Sequence, residues 1–162
     1  MPTKSHAATT SSSLRSRWFL GTLMQFHVTG EDSQGVLTAV EQLMPKGFSP
    51  PRHVHAREAA LIYVLDGTVT VDVGGDLRTV HASQCAFLPQ GVPHTFRSEE
   101  TSRILEVTLP GGVDGFYAEN SVPAERPELP PAGPLDIPRL TATAKARQID
   151  IIGPPMGNES SI

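Results

Sequence analysis

The feature that most restricts this chain is its punctuation. Between Trp18 and Pro110 each apolar run is soon closed by turn-forming residues: WFLGTLMQFHV ends at Thr29-Gly30, and GVLTAVEQLM ends at Pro45-Lys46-Gly47. Turn signals recur about every ten residues, the spacing of short strands in a sandwich or barrel. Asp66-Gly67 separates the run 61–65 from the run 68–73 and suits the positive φ angles of a type I′ turn, so a hairpin is predicted there. Val69, Val71 and Val73 alternate with Thr68, Thr70 and Asp72, which gives one dry face and one wet face. Gly74-Gly75-Asp76 then turns the chain into LRTV, and further short runs follow at QCAFLP, HTFR and RILEVTLP. The expectation is an all-β fold.

Composition divides the 162 residues into three parts. Residues 1–17, with HAATTSSS at their centre, read as a flexible N-terminal arm. Residues 18–118 are expected to bury the core. Residues 119–162 read as an extension, and its six prolines between 123 and 138 predict an extended surface linker. One short helix is predicted beyond it, with Asp136 as N-cap, Ile137, Leu140, Ala144 and Ile151 as its apolar stripe and Gly153-Pro154 as its stop. Thirteen Lys and Arg against 17 Asp and Glu leave no basic footprint for nucleic acid or anionic lipid. No run reaches the roughly 18 apolar residues of a membrane span, so a cytoplasmic location is the expectation. Cys85 stands alone, which excludes an internal disulfide, and reads as a small buried hydrophobe.

The chemistry concentrates in three histidines. In Gly47-Phe-Ser-Pro-Pro-Arg-His53-Val-His55 a proline-braced segment carries two imidazoles at i and i+2, on one face of an extended strand. In Pro89-Gln-Gly91-Val-Pro93-His94 a turn aims a third. Converging inside a barrel, His53, His55 and His94 make a divalent metal site with open positions.

These segments resemble the two signature motifs of the cupin superfamily: His53-x-His55 followed by Tyr63-Val-Leu-Asp-Gly67, and then Phe87-Leu-Pro-x-Gly91-x-Pro-His94. The stretch Thr108-Leu-Pro-Gly-Gly-Val-Asp-Gly-Phe-Tyr117 is similar to the barrel-closing segment of quercetin dioxygenase-like cupins. The resemblance implies a cupin double-stranded β-helix, a jelly-roll barrel, over residues 18–118. It also implies a divalent transition metal (Fe, Mn, Ni, Cu or Zn) and, by analogy alone, a homodimer paired through its sheets. The chain departs from the pattern where the family carries a glutamate, because that position is Ala60, and Ser83 and Ser98 replace a glycine and an asparagine. Without the carboxylate the site is more positive and holds metal more weakly, unless Glu58 or a surrounding group compensates.

Glu106 and Glu58 are the candidate proton-transfer groups. Glu106 shares a strand face with Ile104 and Thr108. An interior setting makes it a buried acid with a raised pKa, whereas the exterior setting, which the residue type favours, makes it a solvated strand residue. Phe96, Val64 and the vacant Ala60 position are the expected pocket walls, and alanine at 60 leaves room for a larger substrate. The function implied is a cupin enzyme whose three-histidine metal activates an aromatic, phenolic or enolisable small metabolite, with oxygen-dependent chemistry as the leading reading. A non-redox cyclase or isomerase of polyketide-type substrates, and a non-catalytic small-molecule binder, are the rivals.

Overall fold

A computed structural model describes residues 15–157; nearly all of the predicted arm lies outside them. Two antiparallel sheets face each other. The first is formed by β1 (Ser16–Phe19), β2 (Thr22–Val28), β3 (Thr38–Met44), β5 (Ala59–Asp66), β8 (Cys85–Leu88), β10 (Ser102–Leu109) and β11 (Ser121–Pro123) in the order β11-β1-β2-β3-β10-β5-β8. The second is formed by β4 (Pro51–His55), β6 (Thr68–Val73), β7 (Asp76–His81), β9 (His94–Ser98) and β12 (Ile149–Pro155) in the order β12-β4-β9-β6-β7. Strand alternation sends Ile62, Val64, Val69, Val71 and Ile104 into the space between the sheets, each at 1% exposure or less. With Met44, Val80, Leu88 and Phe96 they form a barrel core.

The predicted Asp66-Gly67 hairpin does not form. β5 pairs with β8 and β10, while β6 pairs with β7 and β9, so Asp66-Gly67 is the corner at which the chain leaves one sheet for the other. Gly67 has φ +84°, and a Cβ there would meet the Ser102 Oγ at 2.4 Å, so close approach of the crossing strands explains the glycine. The tight hairpin lies one strand later. Gly74 and Gly75, at φ +62° and +94°, join β6 to β7 with Val73 paired to Asp76. The single run expected from Trp18 is likewise two strands, β1 and β2, folded back at Leu20-Gly21.

Beyond β10 come a helix not foreseen, α1 (Asp114–Glu119), and the predicted one, α2 (Ile137–Ala146). The Asp136 carboxylate accepts the Arg139 backbone N–H at 3.0 Å, as an N-cap should. The stop falls earlier than expected: α2 ends at Ala146, Gln148 adopts φ +60°, and Ile151 lies on β12 rather than on the helix. The extension is therefore part of both sheets. β11 pairs with β1, and β12 pairs with β4, setting Ile149 opposite His55 and Ile151 opposite His53. The proline-rich stretch between them is irregular, with bends over residues 125–128, and the Trp18 indole N–H donates to the Glu128 carbonyl at 2.9 Å. Phe19, Met24, Phe116, Tyr117, Leu140 and Ile149 belong to a second, cap core built from both ends of the described chain. Cys85 is exposed on the edge strand β8, contrary to the buried setting expected for it.

Candidate metal centre

β4 and β9 are neighbours in the smaller sheet, and His53 and His94 are direct register partners. His53 and His55 alternate to the same face, so all three rings meet: centroids lie 4.4 Å apart for His53–His94, 5.1 Å for His53–His55 and 5.5 Å for His55–His94. One ring nitrogen from each lies within 4.8 Å of the others. β4 would be an edge strand without β12, so the C-terminal segment fixes the strand that carries two of the three imidazoles.

Each Nδ1 is already engaged. His53 Nδ1 donates to the Pro51 carbonyl at 2.7 Å and His94 Nδ1 to the Val92 carbonyl at 3.0 Å, while His55 Nδ1 lies 3.2 Å from Glu58 Oε2. A carbonyl can only accept, so Nδ1 carries the proton in His53 and His94 and leaves the Nε2 lone pair free; a carboxylate partner imposes the same tautomer on His55. Burial, reinforced by His94 and His55, lowers the His53 pKa to about 3. Burial is also the main cause that lowers the His94 pKa to about 4, against the favourable bond to Val92. Both rings are neutral near pH 7, the form a metal needs. A converging set of three ring nitrogens, each oriented from behind, fits a divalent transition metal.

Glu58 sits in the loop before β5, 4% exposed, and approaches Arg57 Nη1 at 3.6 Å as well as His55. It orients a ring of the trio. Glu106, whose residue type favours an outward setting, points inward on β10 and lines the histidine cavity. The Tyr117 hydroxyl on α1 donates to its carboxylate. Burial raises the Glu106 pKa, opposed by that hydrogen bond, and burial together with Glu106 raises the Tyr117 pKa well above its ordinary value. Tyr117 is the site residue that sequence reasoning missed. Its local setting, Gly-Phe-Tyr in a short helix, carries no signal of the strand it faces.

The cavity beside the histidines is about 60 Å³ and is lined by Phe96, as expected, and by residues of the cap such as Met24, Leu140 and Ile149. Val64 and Ala60 pack in the barrel core instead of on its wall. The room predicted around Ala60 is therefore not what shapes this cavity; the cap is. Ala60 is the register partner of Thr108, whose Oγ1 is buried without a hydrogen-bond partner among the described residues. His27 lies outside the site, exposed, with Nε2 3.1 Å from Glu41 Oε2.

Two facing antiparallel sheets with an inward histidine trio on adjacent strands define a class of metal-site barrel. Residues 39–108 match the family described as Cupin_2, the cupin domain, and this stretch of the chain is a cupin domain. It is 28% identical over 108 residues to the quercetin 2,3-dioxygenase of Bacillus subtilis, a match covering 66% of this chain and 32% of that enzyme, so the chain spans about a third of that relative's length. Among solved structures, an RmlC-like cupin from Shewanella frigidimarina superposes with a TM-score of 0.59 at 20% identity, over 68% of this chain and 96% of that one. KdgF from a Halomonas species superposes with a TM-score of 0.54 at 21% identity, over 59% and 84%. At these identities the structural likeness is one of fold. Among the described residues no helix is long and apolar enough to cross a membrane.

Proposed function

We propose that this protein is a metal-dependent cupin enzyme in which His53, His55 and His94 hold a divalent transition metal beside a proton-transfer pair, Glu106 and Tyr117, acting on a phenolic or enolisable small molecule. The observation that carries the reading is the three-ring convergence with every Nδ1 committed to an acceptor. The bound metal supplies Lewis acidity, lowering the pKa of a hydroxyl or enol placed on it. The chain's own residues do the rest. Glu58 holds the His55 ring; Phe96 and the apolar cap exclude water; the Glu106 carboxylate takes the substrate's hydroxyl proton, and Tyr117 holds that carboxylate in place.

Likeness to a quercetin dioxygenase favours oxygen-dependent chemistry. A specific feature favours the non-redox alternative: the family's glutamate position is Ala60, and the acid that faces the cavity instead is hydrogen-bonded to a tyrosine, which suits proton shuffling in a cyclisation or isomerisation. Elemental analysis of protein purified without added metal checks the shared part. Near-stoichiometric metal in wild type that vanishes in His94→Ala supports the centre, and turnover that persists in the metal-free protein overturns it. Turnover that stops under anaerobic conditions identifies the oxygenase; turnover unaffected by anaerobiosis identifies the cyclase or isomerase. A homodimer through the free edges β7 and β8, where Leu77 and Phe87 are 62% and 61% exposed, belongs to the same reading; light scattering giving the mass of one chain removes it.

A further inference from the structure

A second chamber, of about 350 Å³, adjoins the histidine cavity. Leu20, Phe48, Pro51 and Leu140 line both, so the two spaces are separated by little more than these side chains. The outer chamber is completed by the start of α2 and the end of β12; Leu20, Phe48, Leu135, Ile137 and Leu140 give it an apolar side, Ser49 adds a hydroxyl, and Arg97 is its one charged residue. Arg97 stands on β9 beside Phe96, and strand alternation turns the phenyl ring to the inner cavity and the guanidinium to the other face.

Arg97 is unusual in this molecule. Every other arginine among the described residues has an ion pair or hydrogen bond, whereas Arg97 has neither. It is only partly exposed, and the backbone at Gly157 comes so close that a Cβ there would lie 3.0 Å from its Nη1. A guanidinium half withdrawn from water, facing a chamber with a large apolar side and no counter-charge among the described residues, is complementary to an anion with an apolar body. One guanidinium balances one charge, which suits a carboxylate better than a dianionic phosphate, and its planar fork grips a carboxylate through two parallel hydrogen bonds.

We propose that the outer chamber binds the carboxylate of an amphipathic monocarboxylic acid, with Arg97 gripping the carboxylate and the apolar body lying along Leu20, Phe48 and Leu140 toward the inner cavity. This narrows the proposed substrate class to a molecule with a carboxylate remote from its reacting hydroxyl or enol. It rests on the proposed function only in assigning that far end to the histidines.

Calorimetric titration of the full chain with 3-phenylpropionate and its neutral amide, with and without a chelator, tests the assignment. The acid is expected to bind at least about tenfold more tightly than the amide, the ratio given by roughly 1.4 kcal/mol from one charge-assisted pair. Arg97→Gln is expected to erase that ratio without changing the amide's affinity, which also shows that the variant is folded, and Arg97→Lys to keep part of it. Chelation should leave the ratio unchanged, because the carboxylate is not on a metal. Equal affinities, no binding of either compound at millimolar concentration, a preference that survives Arg97→Gln, or one that disappears on chelation each overturn the proposal. Absence of any metal in the protein would defeat the proposed function and leave this test intact.

Discussion

The barrel core and the cap core are both apolar and both buried, yet they are assembled differently. In the barrel core, β5, β6 and β10 supply alternating aliphatic residues that interlock between the sheets, and Ile62, Val64, Val69 and Ile104 are at 0% exposure. In the cap core, the N-terminal hairpin and α1 bring in aromatics, α2 and β12 add Leu140, Ala144 and Ile149, and packing stops short of the histidines, leaving a cavity with Glu106 and Tyr117 on its wall. The barrel core is filled for stability, whereas the cap core gives up part of its packing to house ionisable groups. Burial of an acid beside a tyrosine hydroxyl is costly, which marks the cavity wall as the place where function outweighs packing.

The sharpest way to break this contrast is to cut the same volume from each side. Ile62→Ala is expected to cost about 4 kcal/mol, since its neighbours cannot collapse into the void, with metal content unchanged. Leu140→Ala, also buried at 3% exposure, is expected to cost about 2 kcal/mol, because it borders an existing cavity, and to change ligand affinity in both chambers. Urea denaturation with parallel metal analysis separates them. Equal losses of stability would mean that the cap is packed as tightly as the barrel.

The same division explains what was legible in the sequence. The barrel core and the histidine trio are written in local patterns, namely period-two alternation, turn residues and i, i+2 spacing, and the structure places them as those patterns require. The cap depends on contacts across most of the chain's length, for which the sequence carries no local mark. Ile149-Asp-Ile151 alternates like a strand, but its proximity to a helix pattern and to Gly153-Pro154 hid β12. Asp66-Gly67 failed as a hairpin signal because turn chemistry specifies a sharp reversal, not which sheet receives the next strand. Glu106 reads as outward from its residue type alone, and the Tyr117 hydroxyl opposite it explains its inward setting.

Next in size is an effect on the centre with little effect on the fold. Glu58→Ala removes the acceptor behind His55 and is expected to weaken metal affinity about 10- to 100-fold, as loss of an orienting partner does. A chelator competition titration measures it, and unchanged affinity would make Glu58 a bystander. Smaller again is a pH effect confined to the cap. Glu106 holds its proton more tightly folded than unfolded, so the native state binds more protons above the ordinary carboxylate range, and stability falls as pH rises through that window. The stability of wild type relative to Glu106→Gln should therefore decline from about pH 4.5 upward. His53 and His94 act oppositely, because their lowered values destabilise the fold as pH drops below their ordinary range, and that slope is common to both proteins. A pH-independent difference between the two would place Glu106 in contact with water.

The smallest effect concerns the helix that closes the cap. Asp136 satisfies one of the free N–H groups at the start of α2, and its removal in Asp136→Ala is expected to cost about 1 kcal/mol. In an isolated helix that loss would appear as fraying alone. Here α2 presents Leu140 and Ala144 to the cavity and precedes β12, the strand that keeps β4 off the sheet edge. If the cap behaves as one cooperative unit, hydrogen exchange at β12 and β4 will quicken together with that of α2, while β5 and β10 of the barrel core remain as protected as in wild type. Exchange that quickens in α2 alone would show that the cap is a set of independent pieces, and the contrast between the two cores would then be one of composition, not of cooperativity.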